Sequence, residues 1–233
     1  TIVEAIREGR AVYSNIKKFV TYIFASNIPE IIPFIAFAIF KIPLPLTVIQ
    51  ILAVDLGTDV APALGLGAEP PEEGIMNQLP RPKTKRLLDF SLLARAYLFL
   101  GPIEAVLCMA GFFFVYWLNG WRPGMEMPSS GIIYTTATTM TLAGIVASQI
   151  GNVFACRSEN NSIFNVGFFK NKLVLFGILT EISLILFLTY TPFMQNIFGL
   201  APLGWREWGF LLFFPVIVLF MEEGRKWMVR TLF

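Results

Sequence analysis

Residues 21–37, TYIFASNIPEIIPFIAF, and residues 50–67, QILAVDLGTDVAPALGLG, decide how this chain is read. Each is part of an apolar run long enough to cross a hydrocarbon layer of roughly 30 Å as a helix, yet each carries acid and proline in its middle. The rest of the chain agrees with a membrane setting. Of 233 residues 55% are hydrophobic and 15% charged, against roughly 25% charged in soluble domains, and the mean hydropathy is +0.66. A water-soluble domain of this size could not hide so much apolar surface. The composition therefore excludes a disordered tail, a nucleic-acid-binding module and an ordinary soluble enzyme, and predicts an all-α, multi-pass membrane protein whose first partner is the lipid bilayer.

Six apolar stretches follow one another, at residues 19–40, 44–67, 92–118, 132–155, 171–192 and 207–221. The last is short and has Trp205 and Trp208 to anchor it at an interface. Six spans put both ends on one side, and the basic residues say which. Arg7, Arg10, Lys17, Lys18, Arg81, Lys83, Lys85, Arg86, Arg95, Arg157, Lys170, Lys172, Arg225, Lys226 and Arg230 share one face, leaving only Lys41, Arg122 and Arg206 opposite. The positive-inside rule makes both termini cytoplasmic. The expected architecture is a six-helix bundle: a stalk helix over 1–18 continuous with the first span, a chemically active helix pair over 19–67, a proline-stiffened cytoplasmic loop over 68–91, four supporting helices over 92–222 and a tail over 223–233. Ile2, Ile6, Tyr13, Ile16 and Val20 give the stalk one apolar face. No internal repeat is visible, which argues against a secondary transporter built from duplicated halves.

Polar groups in the first two spans carry the chemistry. Ser26, Asn27 and Glu30 stand beside Pro29 and Pro33, and proline leaves the carbonyl one turn earlier without its helical donor. In the second span Asp55 and Asp59 are four residues apart, with Thr58 between them and Gly57 and Pro62 able to loosen the turn. Glu30, Asp55 and Asp59 would together cost on the order of 8–10 kcal/mol at mid-membrane, and no basic residue lies in either span to offset them. They must be protonated, hydrated or neutralised by a bound cation, and hard oxygen ligands suit Na⁺, K⁺ or Ca²⁺. A hydrogen-bonded cluster that glues helices together is the plainer alternative. Glu104, Gln149, Asn152 and Glu181 in later spans belong to the same pathway, to a proton route, or to interhelical hydrogen bonds. The run TTATTMT, residues 135–141, reads as a packing face whose hydroxyls bond their own helix. With no histidine, and Cys108 and Cys156 both in apolar runs, a zinc or haem site is not expected, and the cysteines read as inert buried groups.

At SNIPE and DLGTD the sequence resembles the P-type cation-transporting ATPases, most closely the sodium/potassium-pump branch. EGRAVYSNIKKFVTYIFASNIPEI (8–31) and IQILAVDLGTDVAPALGLGAEPPEEGIMNQLPRP (49–82) are similar to that family's fifth and sixth membrane helices and the loop after them, and the likeness continues through KNKLVLFG (170–177) to EEGRKWMVR. The resemblance implies that Asn27, Glu30, Asp55, Thr58 and Asp59 ligate the transported ion, with Ser26 at a further coordinating position. It implies that Gln149 and Glu181 match positions linked to an additional sodium site, where Asn152 departs from the family's aspartate. Asp55 and Ser26 favour Na⁺ or K⁺ over Ca²⁺ and over the proton/potassium pump. The family's phosphorylated DKTGT motif, nucleotide-binding and actuator domains and fourth membrane helix are not in this chain. The expectation is therefore the carboxy-terminal membrane half of a cell-membrane pump, which partners the amino-terminal half and meets ATP and Mg²⁺ only through it. A channel, a stand-alone transporter or a purely structural membrane domain are the other classes considered.

Overall fold

The computed structural model describes residues 1–72, 74–77 and 86–232, and among them every regular element is helical. Residues 73 and 78–85 of the expected loop, with Arg81, Lys83 and Lys85, lie outside the described residues, as does Phe233 of the expected tail. Helix α1 (Ile2–Phe40) is 39 residues long and contains Pro29 and Pro33 without ending at either. At about 1.5 Å per residue it is nearly twice as long as the hydrocarbon layer is thick, and residues 2–18 continue into the first apolar stretch without a break. It stops at Lys41, which adopts a left-handed φ of 53°, just before Pro43 and Pro45. Those prolines also delay α2 (Val48–Gly67) by four residues relative to the expected start at 44. Gln50 Oε1 accepts from the Thr47 N–H at 3.1 Å to close its first turn.

Helix α3 (Phe90–Leu118) begins where the Asp89 carboxylate accepts from the Leu92 N–H at 2.9 Å. Its widened π turn over Arg95–Leu100 absorbs the amide lost at Pro102. Helix α4 (Ile132–Cys156) follows, then α5 (Lys172–Tyr190), whose Asn171 cap accepts from the N–H groups of Leu173 and Val174 at 2.9 and 3.2 Å. The segment expected as a sixth span is instead two helices, α6 (Trp205–Leu211) and α7 (Phe213–Leu232). Pro215 has no N–H for the Leu211 carbonyl, and the chain turns at Leu212. Five described helices are long and apolar enough to cross a membrane, where the sequence suggests six.

Helix α4 is the centre of the bundle: 83% of its most apolar stretch is buried, against 33% for α1 and α5. Its hydroxyls behave as expected, since Thr139 and Thr141 donate to carbonyls one turn back at 2.8 and 3.1 Å. Helices α2 and α5 touch backbone to backbone. A Cβ on Gly177 would stand 2.7 Å from the Pro62 Cα, and one on Gly65 would stand 2.8 Å from the Val174 nitrogen. Both cysteines are buried and free.

At the amino-terminal part of α1, the described part of the 68–91 loop is tied down by charge. Arg10 Nη1 donates to the Ile75 carbonyl at 2.8 Å, Asn15 Nδ2 to that of Glu69 at 2.6 Å, and Lys18 pairs with Glu72 at 2.8 Å. Arg157, fully buried, pairs with Glu69 at 2.6 Å, and Asn171 Nδ2 donates to the same carboxylate at 2.6 Å. Glu222, also fully buried, takes Arg95 and Arg225, each at 2.7 Å. These ties join the root of α1, the α2 end, the α4–α5 connection and α7 into one plate under the apolar bundle.

Candidate cation site

The site grows from a stripe on α1 with a spacing of four: Tyr22, Ser26 and Glu30 are all buried on one face. The Ser26 hydroxyl donates to its own helix, to the Tyr22 carbonyl at 2.9 Å, and its oxygen also lies within hydrogen-bonding reach of the Asp59 carboxylate on α2. Three residues past Ser26, Pro29 presents no N–H to the Ala25 carbonyl, so this part of α1 holds a backbone oxygen without its helical donor. Asn27 is half-buried on the adjoining flank.

Across from this stripe, α2 changes its winding over Val54–Thr58, which form a π turn. The Asp59 N–H reaches back five residues to the Val54 carbonyl at 3.1 Å, the five-residue span that marks a helix turn with one extra residue. Gly57 lies within the turn and Pro62 just after it, and the loosening anticipated there takes this form. Thr58 Oγ1 lies 3.2 Å from the Val54 carbonyl and 3.4 Å from Gln149 Oε1 on α4, so one hydroxyl is shared between its own helix and the bundle centre.

The result brings three carboxylates from two helices together. One oxygen each of Glu30, Asp55 and Asp59 lies within 4.8 Å of the others. Glu30 and Asp59 are buried; Asp55, expected to be buried with them, is exposed, because no described helix covers that side of α2. Asp55 and Asp59 instead form the polar edge of a groove of about 230 Å³ that includes Asn27 and is otherwise lined by apolar groups such as Phe19, Ile23 and Val60. Among the described residues no basic side chain pairs with any of the three acids. Lys17 and Lys18 are engaged with Asp89 and Glu72, and Lys41 stands exposed beyond the far end of α1. Glu30 Oε1 and Asp59 Oδ1 are buried without a hydrogen-bond partner. Three acids gathered in apolar surroundings, with orphaned oxygens and no counter-charge, have the donor set of a hard-cation ligand sphere.

The later polar residues close in behind. Gln149, Asn152 and Glu181 each make a bond between helices: Gln149 with Thr58 as above, Asn152 Nδ2 with the Tyr22 carbonyl at 3.5 Å, and Glu181 Oε1 with the Tyr22 hydroxyl at 3.1 Å. Glu104 makes none. Tyr22 and Ser148 are buried members of this polar interior that the sequence reading passed over. Tyr22 had a signal, its place one turn before Ser26 on the acid-bearing face; Ser148 had none, since a serine in an apolar helix is unremarkable.

The chain matches the family model described as "Cation transporting ATPase, C-terminus" over residues 43–228. It is 34% identical to the sodium/potassium-transporting ATPase subunit alpha-4 of Rattus norvegicus and 35% identical to that of Homo sapiens, each over 99% of this chain and 25% of the relative. It is likewise 34% identical to the sodium/potassium-transporting ATPase subunit alpha of Tetronarce californica, over 99% of this chain and 25% of that protein. The chain thus spans about a quarter of the length of the curated relatives it matches. Together with the five apolar helices, these likenesses make it an integral, multi-pass membrane protein. The chain belongs to the P-type cation-transporting ATPases, as the carboxy-terminal membrane region of that family.

Proposed function

We propose that the chain is the membrane portion of an ATP-driven cation pump, and that Glu30, Asp55 and Asp59, with Ser26, Asn27 and Thr58, bind the transported ion. The observation that carries this reading is the convergence of three carboxylates from α1 and α2 within 4.8 Å, without a basic partner. Asp59 has hydrogen bonds with the Ser26 and Gln149 side chains and Glu30 one with Asp55, but these neutral contacts leave Glu30 Oε1 and Asp59 Oδ1 without a donor and bring no positive charge, which a transported cation supplies while it is bound. Na⁺ or K⁺ is the favoured cargo over Ca²⁺, in keeping with the names of the relatives. ATP and Mg²⁺ act on domains outside these 233 residues.

In this reading α7, with α6, makes the sixth crossing, both termini face the cytoplasm of a cell membrane, and residues 1–18 form the stalk. Tilting of cytoplasmic domains moves the α1 rod, and Glu30 shifts relative to Asp55 and Asp59. The π turn of α2 gives that helix a second winding to adopt, so affinity and access change together. Loss of one ligating carboxylate costs at least about 2 kcal/mol, or roughly 30-fold in affinity. Asp59→Asn in the full-length pump is therefore expected to weaken cation-stimulated phosphorylation at least that much, and wild-type stimulation would refute the assignment.

A further inference from the structure

Gln50, in the first turn of α2, is fully buried and uses both halves of its amide. Its Oε1 accepts from the Thr47 N–H at 3.1 Å, and its Nε2 donates to the carbonyls of Phe198 and Gly199 at 3.2 and 3.4 Å. Those carbonyls end the short helical segment Pro192–Phe198 that follows α5, where Gly199 leaves the helix at a left-handed φ of 62°. Starting α2 needs only the acceptor half of the amide. The donor half holds a second element, 148 residues away in the chain. The connection before α2 is held as well, since the Tyr134 hydroxyl of α4 donates to the Leu44 carbonyl at 3.0 Å and Leu46 is fully buried.

The last turns of α2 are fixed to the start of α5. Asn171 Nδ2 donates to the Gly65 carbonyl at 2.9 Å, at the place where Gly65 and Gly177 already bring the two backbones together. Between the two ends the contact changes in kind: a Cβ on Gly57, within the π turn, would meet the flexible Leu184 side chain, with Cδ2 at 2.6 Å, and no backbone. As numbers rise along α2 from 57 to 65, their neighbours on α5 fall from 184 to 174, so the helices are antiparallel and α5 bridges the π turn. The stretch between the pins is the one that carries Asp55, Thr58 and Asp59. If a π turn reverts to α winding, the parts of the helix on either side rotate against each other by roughly 100°, the angle of one residue. With both ends held, that rotation is confined to the stretch between them. With the first turn released, the leading part of α2 swivels instead, and the winding no longer decides where Asp55 stands relative to Glu30.

We infer that Gln50 is a positioning residue of the transport cycle: by pinning the first turn of α2 to the segment after α5, it makes a change of winding over Val54–Thr58 move Asp55 against Glu30. Gln50 is not itself a ligand, because both halves of its amide are taken up by backbone groups. Its effect reaches the ion through the helix it holds. The inference rests on the reading of Glu30, Asp55 and Asp59 as the ion site.

The test follows ion release from the purified full-length pump, per phosphorylatable enzyme, using radioactive Na⁺ and, as a K⁺ substitute, Rb⁺. Gln50→Met has a side chain of similar length without the amide. It is expected to release bound ion about three- to tenfold faster than wild type and to lower apparent affinity by a similar factor, with the number of ions bound per enzyme unchanged. If it lowers only the melting temperature, while release per enzyme stays at the wild-type rate, Gln50 is a structural residue and the inference is overturned. Should Gln50→Met fail to fold, Gln50→Asn decides. It keeps the amide but is one carbon too short to serve Thr47 and Phe198 together, so release is again expected to quicken, and a wild-type rate overturns the proposal. Asp59→Asn tells this inference from the reading beneath it. If it leaves ion binding intact, the ion site was wrongly assigned; if it abolishes binding while Gln50→Met releases ions at the wild-type rate, only the role of Gln50 falls.

Discussion

At the scale of single residues, the most heavily committed side chain is Arg157. It is fully buried, donates through Nε and Nη2 to Glu69, and through Nη1 to the carbonyls of Gly167 and Phe168 at 2.6 and 3.1 Å. Glu69→Gln leaves that guanidinium buried without its counter-charge, which costs about 3–5 kcal/mol. The expected outcome is a marked drop in the melting temperature of the purified protein, partly restored when Arg157 is also replaced by Met. Glu223 makes a pH prediction. Burial alone would raise its pKa, but the Ser162 hydroxyl, the Ile163 N–H at 3.0 Å and Lys226 at 3.2 Å outweigh it and hold the carboxyl below its ordinary 4.5. A lowered pKa means that the ionised form stabilises the fold above that value and that the contribution is lost as the pH falls through the lowered one. Glu223→Gln should therefore melt earlier than wild type at pH 7, and the gap should close below about pH 4.5. A gap independent of pH would show that the carboxylate charge is not what matters. That Glu30, Asp55 and Asp59 share one place was legible in the sequence, because acids in two successive apolar runs with no basic neighbour stand out against their surroundings. The pairing of Arg157 with Glu69 was not, because their 88-residue separation is closed only by the fold.

Among elements, the contact between α2 and α5 fixes the helix that carries two of the three acids. Gly177→Ala would bring a methyl within 2.7 Å of the Pro62 backbone, which cannot swing away as a flexible side chain would. The expected cost is about 1–3 kcal/mol, read from thermal unfolding, with a displaced π turn and weaker cation affinity. Unchanged stability and affinity would mean that α2 does not rest on α5. Helix existence was readable from apolar length, as the agreement of 132–155 with Ile132–Cys156 illustrates. Boundaries set by proline were read less well: Pro43 and Pro45 shorten α2, and Pro215 splits the last segment. The π turn announced itself only as Gly57 and Pro62, since the choice between kink, bulge and plain helix is made by packing against α4 and α5.

For the whole molecule, the architecture follows from where polarity is tolerated. Charged side chains pair in the plate around Arg157 and Glu222, hydroxyls of α4 bond their own helix, and the three acids without a basic partner converge where α1 and α2 meet. Within these 233 residues the groove beside Asp55 and Asp59 leaves the acids uncovered on one flank. The central claim is that these acids are tolerated because a cation visits them. Its most direct test is a crystal structure of the full-length pump soaked with Tl⁺ and with Rb⁺, read by anomalous scattering. The account predicts a peak within coordinating distance of the Glu30, Asp55 and Asp59 carboxylates, absent from crystals of Asp59→Asn; density for the ion elsewhere, with these three carboxylates bare, would contradict it.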